Sequence, residues 1–405
     1  TADLREGSRG SASRSRLRSS LVVVQLAVSV VLLVGSALLL RSLGGAGRVD
    51  LGFTAEGGAM LTFRPFQQGY DGDRTLALVE QLLAKVQGLP SVVLATATTR
   101  APLNLNVSTN EIVPEGNEPV GGRFPEIQRA AVAPDYFATL GAKLTAGREF
   151  TSQDRPGQPP VVVLNEAAAE LLWPGQNVLG KRLATRGSQG PGEWREVVGV
   201  VKNLKVVTIG ERPTAQVFFP LYTSFDGAVT LVARVRGDPA AALPALRQAL
   251  RELDPGMPVA AGAELTDLVG VALFPIRFTA MLLVVLGLAG LAIAAIGLYG
   301  IIAQAVAAQT RELGIRLALG AEPAVIHRAV LADGLRLTAV GLAIGLGIAA
   351  LGSRLLTTWL YGVSPYDPVS FSAAPLVLVL VAIVACLVPA RRATRVDPVE
   401  ALRAE

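Results

Sequence analysis

The amino-acid sequence predicts an α-helical membrane protein with four transmembrane helices and a large α+β domain inserted between helices 1 and 2. Three observations carry this. Of the 405 residues, 51% are apolar and 17% are charged, below the roughly 25% charged residues of soluble chains, and mean hydropathy is +0.46. Four long stretches contain no charged residue: Ser19 to Leu40, Phe278 to Thr310, Leu337 to Ser353 and Pro368 to Ala390. Between the first two, residues 42–277 are mixed in polarity and long enough to fold outside the membrane.

Residues 1–18 are rich in Arg, Ser and Gly and read as a basic linker leading into a first span at 19–41. A basic segment before an apolar run also fits a signal sequence. This run is too long for one, and Ala37 to Arg41 lacks a small-x-small cleavage site, so it reads as a retained anchor. The stretch 278–310 exceeds the ~20 residues that cross ~30 Å of hydrocarbon and reads as a second span with a stalk. The third span, 337–353, is 17 residues long. At ~1.5 Å per residue it reaches about 26 Å, so it crosses if Arg336 and Arg354 snorkel toward the headgroups. A short external loop at 354–367 leads to the fourth span at 368–390, and 391–405 form a tail.

Charge placement sets the orientation, because Lys and Arg of short flanks stay on the cytoplasmic side. Segments 1–18, 311–336 and 391–405, which four spans place on one side, hold 13 basic and 8 acidic residues and with them the whole net charge of +5. The remaining 24 basic and 24 acidic residues cancel. Both termini are therefore expected in the cytoplasm. The high pI of about 9.6 is a topology signal and not a nucleic-acid footprint.

Within 42–277, Leu76, Leu78, Val79, Leu82, Leu83 and Val86 recur at helical spacing, Gly88-Leu-Pro ends that helix, and Val92 to Ala97 reads as a strand. A similar unit follows in reverse order, a strand over Ala228 to Val235 and a helix over Pro239 to Leu253, closed by Asp254-Pro255-Gly256. These parts, about 54–100 and 226–265, read as halves of one α/β subdomain. Residues 101–225 are richer in turns and short β runs, such as Val161 to Leu164 and Val197 to Val201, and read as an inserted β-rich subdomain.

Chemistry-bearing residues are sparse. Cys386 is the one cysteine and His327 the one histidine, which removes disulfides within the chain and most zinc, haem and Ser/His chemistry. Gly175-Gln-Asn-Val-Leu-Gly180-Lys181 fits phosphate-loop spacing, but Arg182 stands where Ser or Thr must hold the metal, so it reads as turn and strand. Gly345-Leu-Gly347-Ile-Ala-Ala350 mimics a dinucleotide fingerprint inside a span, without the strand that motif requires. Gly341 and Gly345, with Gly297 and Gly300 of the second span, read as small residues that let helices approach; lipid-facing coincidence is the bland alternative. His327 has no partner at metal spacing and reads as part of a basic surface. No Gly-x-Ser-x-Gly elbow is present, and the external carboxylates show no acid/base pairing. Arg41 stands at the very end of the first span and no charged residue lies further inside any of the four, which argues against a proton- or ion-coupled carrier. No catalytic residue and no metal site is expected.

The most informative stretch is Gln309 to Gly334. Arg311, Glu312, Arg316 and Arg328 make it too polar for lipid, while Leu313, Ile315, Leu317, Leu319, Val325 and Ile326 supply an apolar face. Gly320 breaks the pattern, and Glu322-Pro323 suits the first turn of a new helix. Such an amphipathic helix pair either lies on the membrane or docks into a partner's groove, and the residues by themselves leave both open.

The run Thr310-Arg-Glu-Leu-Gly-Ile-Arg-Leu-Ala-Leu-Gly-Ala321 resembles the cytoplasmic loop of MacB/FtsX-type permeases of ABC transporters, whose pattern is close to T-R-E-[IL]-G-[IV]-R-x-A-L-G-A. The ending Pro389-Ala-Arg-Arg-Ala-Thr-Arg395 with Asp397-Pro-Val-Glu-Ala-Leu-Arg403, the external PGQNVLGKRL (174–183) and Val132-Ala-Pro-Asp-Tyr-Phe137 resemble further family motifs, so the likeness covers essentially the whole chain. It implies a four-span inner-membrane permease with a periplasmic domain after span one, split into a porter-like and an inserted β-rich part. It also implies dimerisation, and a separate cytoplasmic ATPase subunit that grips Thr310, Arg311, Glu312, Leu313, Gly314, Ile315, Arg316, Leu319, Gly320 and Ala321. That partner would hold ATP and magnesium, and this chain no cofactor. Closure of the ATPase would be passed to the periplasmic domain and drive export or extrusion; the alternative is a mechanotransmitter that regulates a periplasmic enzyme or sensor without transport. The partners implied are the ATPase, a second permease half or identical subunit, membrane lipid and a periplasmic protein, with no nucleic acid. The opening Asp3-Leu-Arg-Glu-Gly-Ser-Arg-Gly10 and the Arg-rich run after it resemble the middle of long duplicated permeases of acidobacterial type, which implies the second half of a doubled polypeptide.

Overall fold

A computed structural model describes residues 3–46, 49–103, 107–116, 123–187, 190–223, 227–318 and 323–393. The chain divides into two compact units, Thr1–Arg48 with Pro275–Glu405, and Val49–Phe274. After helix α1 (Asp3–Ala46), the second unit runs β1 (Gly58–Phe63), α2 (Gly72–Gln87), β2 (Val92–Thr98), β3 (Thr109–Pro114), β4 (Glu126–Val132), α3 (Tyr136–Leu140), β5 (Leu144–Gly147), β6 (Val161–Asn165), α4 (Glu166–Leu172), β7 (Arg182–Gly187), β8 (Gly190–Val201), β9 (Gln216–Pro220), β10 (Val229–Val235), α5 (Pro239–Arg251) and β11 (Val259–Glu264).

The two expected halves meet in one subdomain. Asp71 caps α2 by accepting from the Arg74 N–H, and Asp238 caps α5 by accepting from the Ala240 N–H with Pro239 in the first turn, the arrangement that satisfies orphan donors at a helix start. Each helix turns one apolar stripe inward, Leu78, Val79, Leu82 and Val86 from α2 and Ala242, Leu246, Ala249 and Leu250 from α5. They cover a sheet ordered β11-β1-β10-β2 with every neighbour antiparallel, Leu61 facing Leu231 and Leu231 facing Ala97. Two β-α-β units interleaved in this order make a ferredoxin-like layer.

The inserted part closes on itself. Strands follow the order β4-β3-β7-β8-β6-β9, and β9 pairs back to β4 in parallel from Gln128↔Gln216 to Val132↔Pro220. Six strands therefore form a barrel, with β5 added along β8. Closure leaves the ring no free edge to template aggregation. Ile112, Ile127, Val162, Leu164, Leu183, Val197 and Val217 fill it, and Ala168, Leu172 and Trp173 of the α4 segment pack onto the same core.

In the other unit α1 is joined by the part of α6 (Leu265–Ala318) from Pro275 onward, by α7 (Pro323–Gly352) and by α8 (Pro368–Ala393), with a 3-10 segment at Ser353–Trp359. Among the described residues four helices are long and apolar enough to cross a membrane. Half of the α1 window is buried against 22–28% for the others, so α1 is the central helix and the rest turn apolar faces outward, as lipid solvation permits. Val22, Leu26, Val30, Val34 and Leu38 of α1 pack with Leu291, Ala294 and Leu298 of α6 and with Leu378 and Ala382 of α8.

Several expected boundaries are corrected. The segment read as a basic linker is helical in its backbone from Asp3 and continuous with α1, since elongating an existing helix past Gly7 and Gly10 costs less than nucleating one. The helix of the second span begins at Leu265, not 278, and runs on to Ala318. The third runs from Pro323 to Gly352, so the segment set apart at 311–336 holds the expected pair of helices over 311–318 and 323–336, continuous with the spans rather than separate from them, since elongating an existing helix costs less than nucleating a new one. Part of the expected loop 354–367 is the 3-10 segment.

Where α1 finishes and α8 starts, a polar clasp forms. Arg41 donates to both oxygens of Asp367 at 2.7 and 2.6 Å, and the Ser370 N–H and hydroxyl both donate to Asp367 at 2.8 Å. Burial works to raise the Asp367 carboxyl, but the bonds from Ser370 and then Arg41 outweigh it and hold it below the usual carboxylate range. Ser42 donates to the Trp359 carbonyl at 2.8 Å and accepts from the Tyr361 N–H at 2.7 Å. In a double-mutant cycle, Arg41→Met and Asp367→Asn are expected to show a coupling of about 1 kcal/mol in thermal unfolding of the reconstituted protein, just below the ~1.5–3 kcal/mol of charged hydrogen bonds because the Arg41 side chain is 44% exposed. Additive single-mutant losses would remove the clasp as a stabilising feature.

Candidate functional site

The motif Thr310 to Ala321 lies where α6 ends and α7 begins. The α6 backbone carries Thr310, Arg311, Glu312, Leu313, Gly314, Ile315 and Arg316 in its last turns before Ala318. Leu319, Gly320 and Ala321 lie outside the described residues, as does the expected break at Gly320. Helix α7 restarts at Pro323, the residue whose fixed φ and missing N–H suit a first turn. The C-terminal family-like motif is described as far as Ala393, the end of α8; Thr394 to Arg403 lie outside the described residues.

Small residues decide how closely the helices below this motif approach. A Cβ on Gly341 would stand 2.7 Å from Leu26 Cβ and 3.1 Å from the Val23 carbonyl oxygen, and one on Gly345 would stand 2.8 Å from the Ala27 oxygen and 2.8 Å from Val30 Cβ. Both glycines thus face α1. Gly297 faces it too, 2.9 Å from Val22 Cγ2, whereas a Cβ on Gly300 would meet nothing within 4 Å among the described residues, although it lies one turn on from Gly297. Other contacts escaped sequence reasoning. Gly287 and Gly290 meet Leu33 and Ser29 of α1, and a Cβ on Gly334 would overlap the Cys386 sulfur of α8 beside Ile302 of α6. The signal for Gly334 was available: residues 334, 338, 341 and 345 recur on one helical face, and Thr338 there is buried and donates to the Gly334 carbonyl at 2.8 Å.

The phosphate-loop lookalike follows helix α4 and enters strand β7, the reverse of the strand–loop–helix order in which amides cradle a phosphate. Gly175 and Gly180 take φ of +64° and +82° to make its turns, and Lys181 sits 5.4 Å over the Trp173 ring. Val132 to Phe137 ends β4 and opens α3. There Phe137 makes edge contacts with Tyr136 and Phe218 at centroid distances of 5.3 and 5.0 Å, so this motif builds core. Among the described residues no three His, Cys, Asp or Glu side chains gather as a metal site.

The model of the MacB-like periplasmic core domain matches residues 26–253, and that of the FtsX-like permease C-terminal region matches 266–398. This chain belongs to the MacB/FtsX family of ABC transporter permeases. It is an inner-membrane permease-type chain whose ferredoxin-like layer and barrel make up the periplasmic domain between helices 1 and 2. It is 29% identical over 68% of its length, and 42% of the relative's, to a probable syringafactin export ATP-binding/permease protein of Pseudomonas syringae pv. tomato. It is 25% identical over 80% of its length, and 48% of the relative's, to the macrolide export ATP-binding/permease protein MacB of Escherichia coli K12. The chain thus spans about half the length of the curated relatives it matches. The crystallised periplasmic region of MacB from Actinobacillus actinomycetemcomitans aligns with 55% of this chain and 94% of its own, at 18% identity and a TM-score of 0.37.

Proposed function

We propose that this permease couples ATP hydrolysis by a cytoplasmic ABC ATPase to movement of its periplasmic domain, and so drives export or extrusion of a substrate. The observation that carries the reading is the Thr310 to Ala321 motif at the junction of two long apolar helices. Of the two roles open to an amphipathic helix end, docking into a partner is favoured, because α6 and α7 continue from it directly into the membrane bundle. A force applied there acts on packed helices, which transmit strain with little compression. The relatives named above are described as export ATP-binding/permease proteins, which supports the pairing of this half with an ATPase half. In this reading both termini and the motif are cytoplasmic, ATP and magnesium belong to the ATPase, and a second permease half or copy completes the transporter.

The test is co-purification of the full-length protein with ABC ATPases of its own host, followed by ATP hydrolysis of any complex in nanodiscs. A stable complex whose hydrolysis rises with the permease is expected. Failure to form a complex with any host ABC ATPase would overturn the reading in favour of a free-standing sensor.

A further inference from the structure

Within the periplasmic unit, between α2 and the loop after β5, lies a cleft of about 610 Å³, inside the ~300–1,000 Å³ range of small-molecule sites. Its floor is apolar: Val79, Ala95, Val132, Ala133, Phe150 and Leu221 line it and are buried. Its charged groups are Glu80, Asp135, Asp154 and Arg155. Two of the three carboxylates are compensated. Arg155 stands 3.4 Å from Glu80 across the cleft, and Arg148 grips both oxygens of Asp154 at 2.7 and 2.9 Å while Thr151 donates to the same group.

Asp135 is the exception. It is exposed, it makes no capping bond to α3, and among the described residues no cation lies within ion-pairing distance of it. A second carboxylate backs it: Glu149 accepts from the Phe137 N–H at 3.3 Å, and burial first, then the charge of Asp135, pushes the Glu149 carboxyl up. The cleft therefore presents an apolar floor with uncompensated negative charge on one wall, and Tyr222 lines it as well, an aromatic surface of the kind that attracts cations.

We propose that this cleft binds a lipophilic monocation, its apolar body against the Val79–Phe150 floor and its positive group at Asp135. An anion of the same shape would meet Asp135 as a like charge. The inference rests on the export reading in one respect, that the bound cation is cargo; binding itself needs no ATPase.

Equilibrium dialysis of radiolabelled tetraphenylphosphonium against the full-length protein in zwitterionic nanodiscs, without ATPase and with empty nanodiscs subtracted, tests it. Tetraphenylborate, of the same shape and opposite charge, is the control. Saturable binding of the phosphonium and none of the borate is expected. Asp135→Asn should weaken phosphonium binding about tenfold, the loss of one modest charge contact, since Asn tolerates the left-handed φ of 60° there. Arg155→Gln removes the one cation of the lining and should tighten binding about twofold, a gain that damage to the fold would not produce. Ala84→Trp should fill the cleft and abolish binding. Equal saturable binding of both ions, or phosphonium binding unchanged in Asp135→Asn and Ala84→Trp, overturns the proposal. Cation binding without an ATPase complex would leave the cleft standing and remove the export reading, whereas a working ATPase complex without cation binding would do the reverse.

Discussion

Arg316→Glu is expected to abolish stimulation of the partner ATPase while the permease stays folded and inserted. Residue 316 falls two positions before the end of α6, within the motif proposed to dock. Reversing a charge that is hydrogen-bonded across an interface costs about 2–5 kcal/mol, which is roughly thirtyfold or more in affinity. The same change costs the helix little, about 0.3–1 kcal/mol for placing an anion near a C-terminus, spread over a helix of 54 residues. Arg316→Lys should fall between, since it keeps the charge and loses the planar fork. Gly314→Trp should act by bulk where Arg316→Glu acts by charge. The measurement is hydrolysis in nanodiscs titrated with ATPase, alongside a thermal melt of the permease. Normal stimulation in both Arg316→Glu and Gly314→Trp would remove this segment as the coupling surface; lost stimulation with a melt unchanged is the expected pair.

Gly345→Val should destabilise the membrane bundle by about 1–3 kcal/mol or more, the cost of overpacking a close contact. Even the first added carbon would meet the Ala27 carbonyl oxygen at 2.8 Å, with Ala27 Cα at 3.1 Å. The obstacle is α1 backbone, which cannot rotate away as a side chain can. Gly347→Val, two residues on, is the matched control, because nothing lies within 4 Å of a Cβ there. The pair separates packing from the helix propensity that both substitutions change alike. Thermal unfolding of the two variants in the same nanodiscs should show a fall for Gly345→Val and a small change for Gly347→Val; equal melts would mean that α1 and α7 do not meet at Gly345.

Much of the architecture was legible because its signals are local. Runs without charge locate spans by length and hydropathy, and the stripe Leu78, Leu82, Val86 marks a helix whose start Asp71 then caps. Boundaries were less legible. A helix does not stop where apolar residues stop, so α6 runs past Thr310 to Ala318, and α1 begins at Asp3 among arginines. The glycines divided by what stands opposite them, which composition does not carry: a Cβ on Gly297 would meet Val22 while one on Gly300, a turn on, would meet nothing within 4 Å among the described residues. The Asp135 cleft was hidden for a similar reason, since its walls come from residues near 80, 135, 150 and 221 that share no motif.

By itself the sequence determined the four spans, the placement of a large α+β segment between the first two, the split of that segment into a discontinuous α/β layer and an insertion, and the motif at 310–321. All of these are written in periodicity, charge spacing and turn residues, which act over a few neighbours. Tertiary structure decided that the insertion closes into a barrel through the β4–β9 pairing, that α1 is the central helix of its unit, and which of the three cleft carboxylates has no cation beside it among the described residues. Those depend on strand pairings and charge contacts between residues far apart in the chain, and no local pattern encodes which distant partner a residue meets.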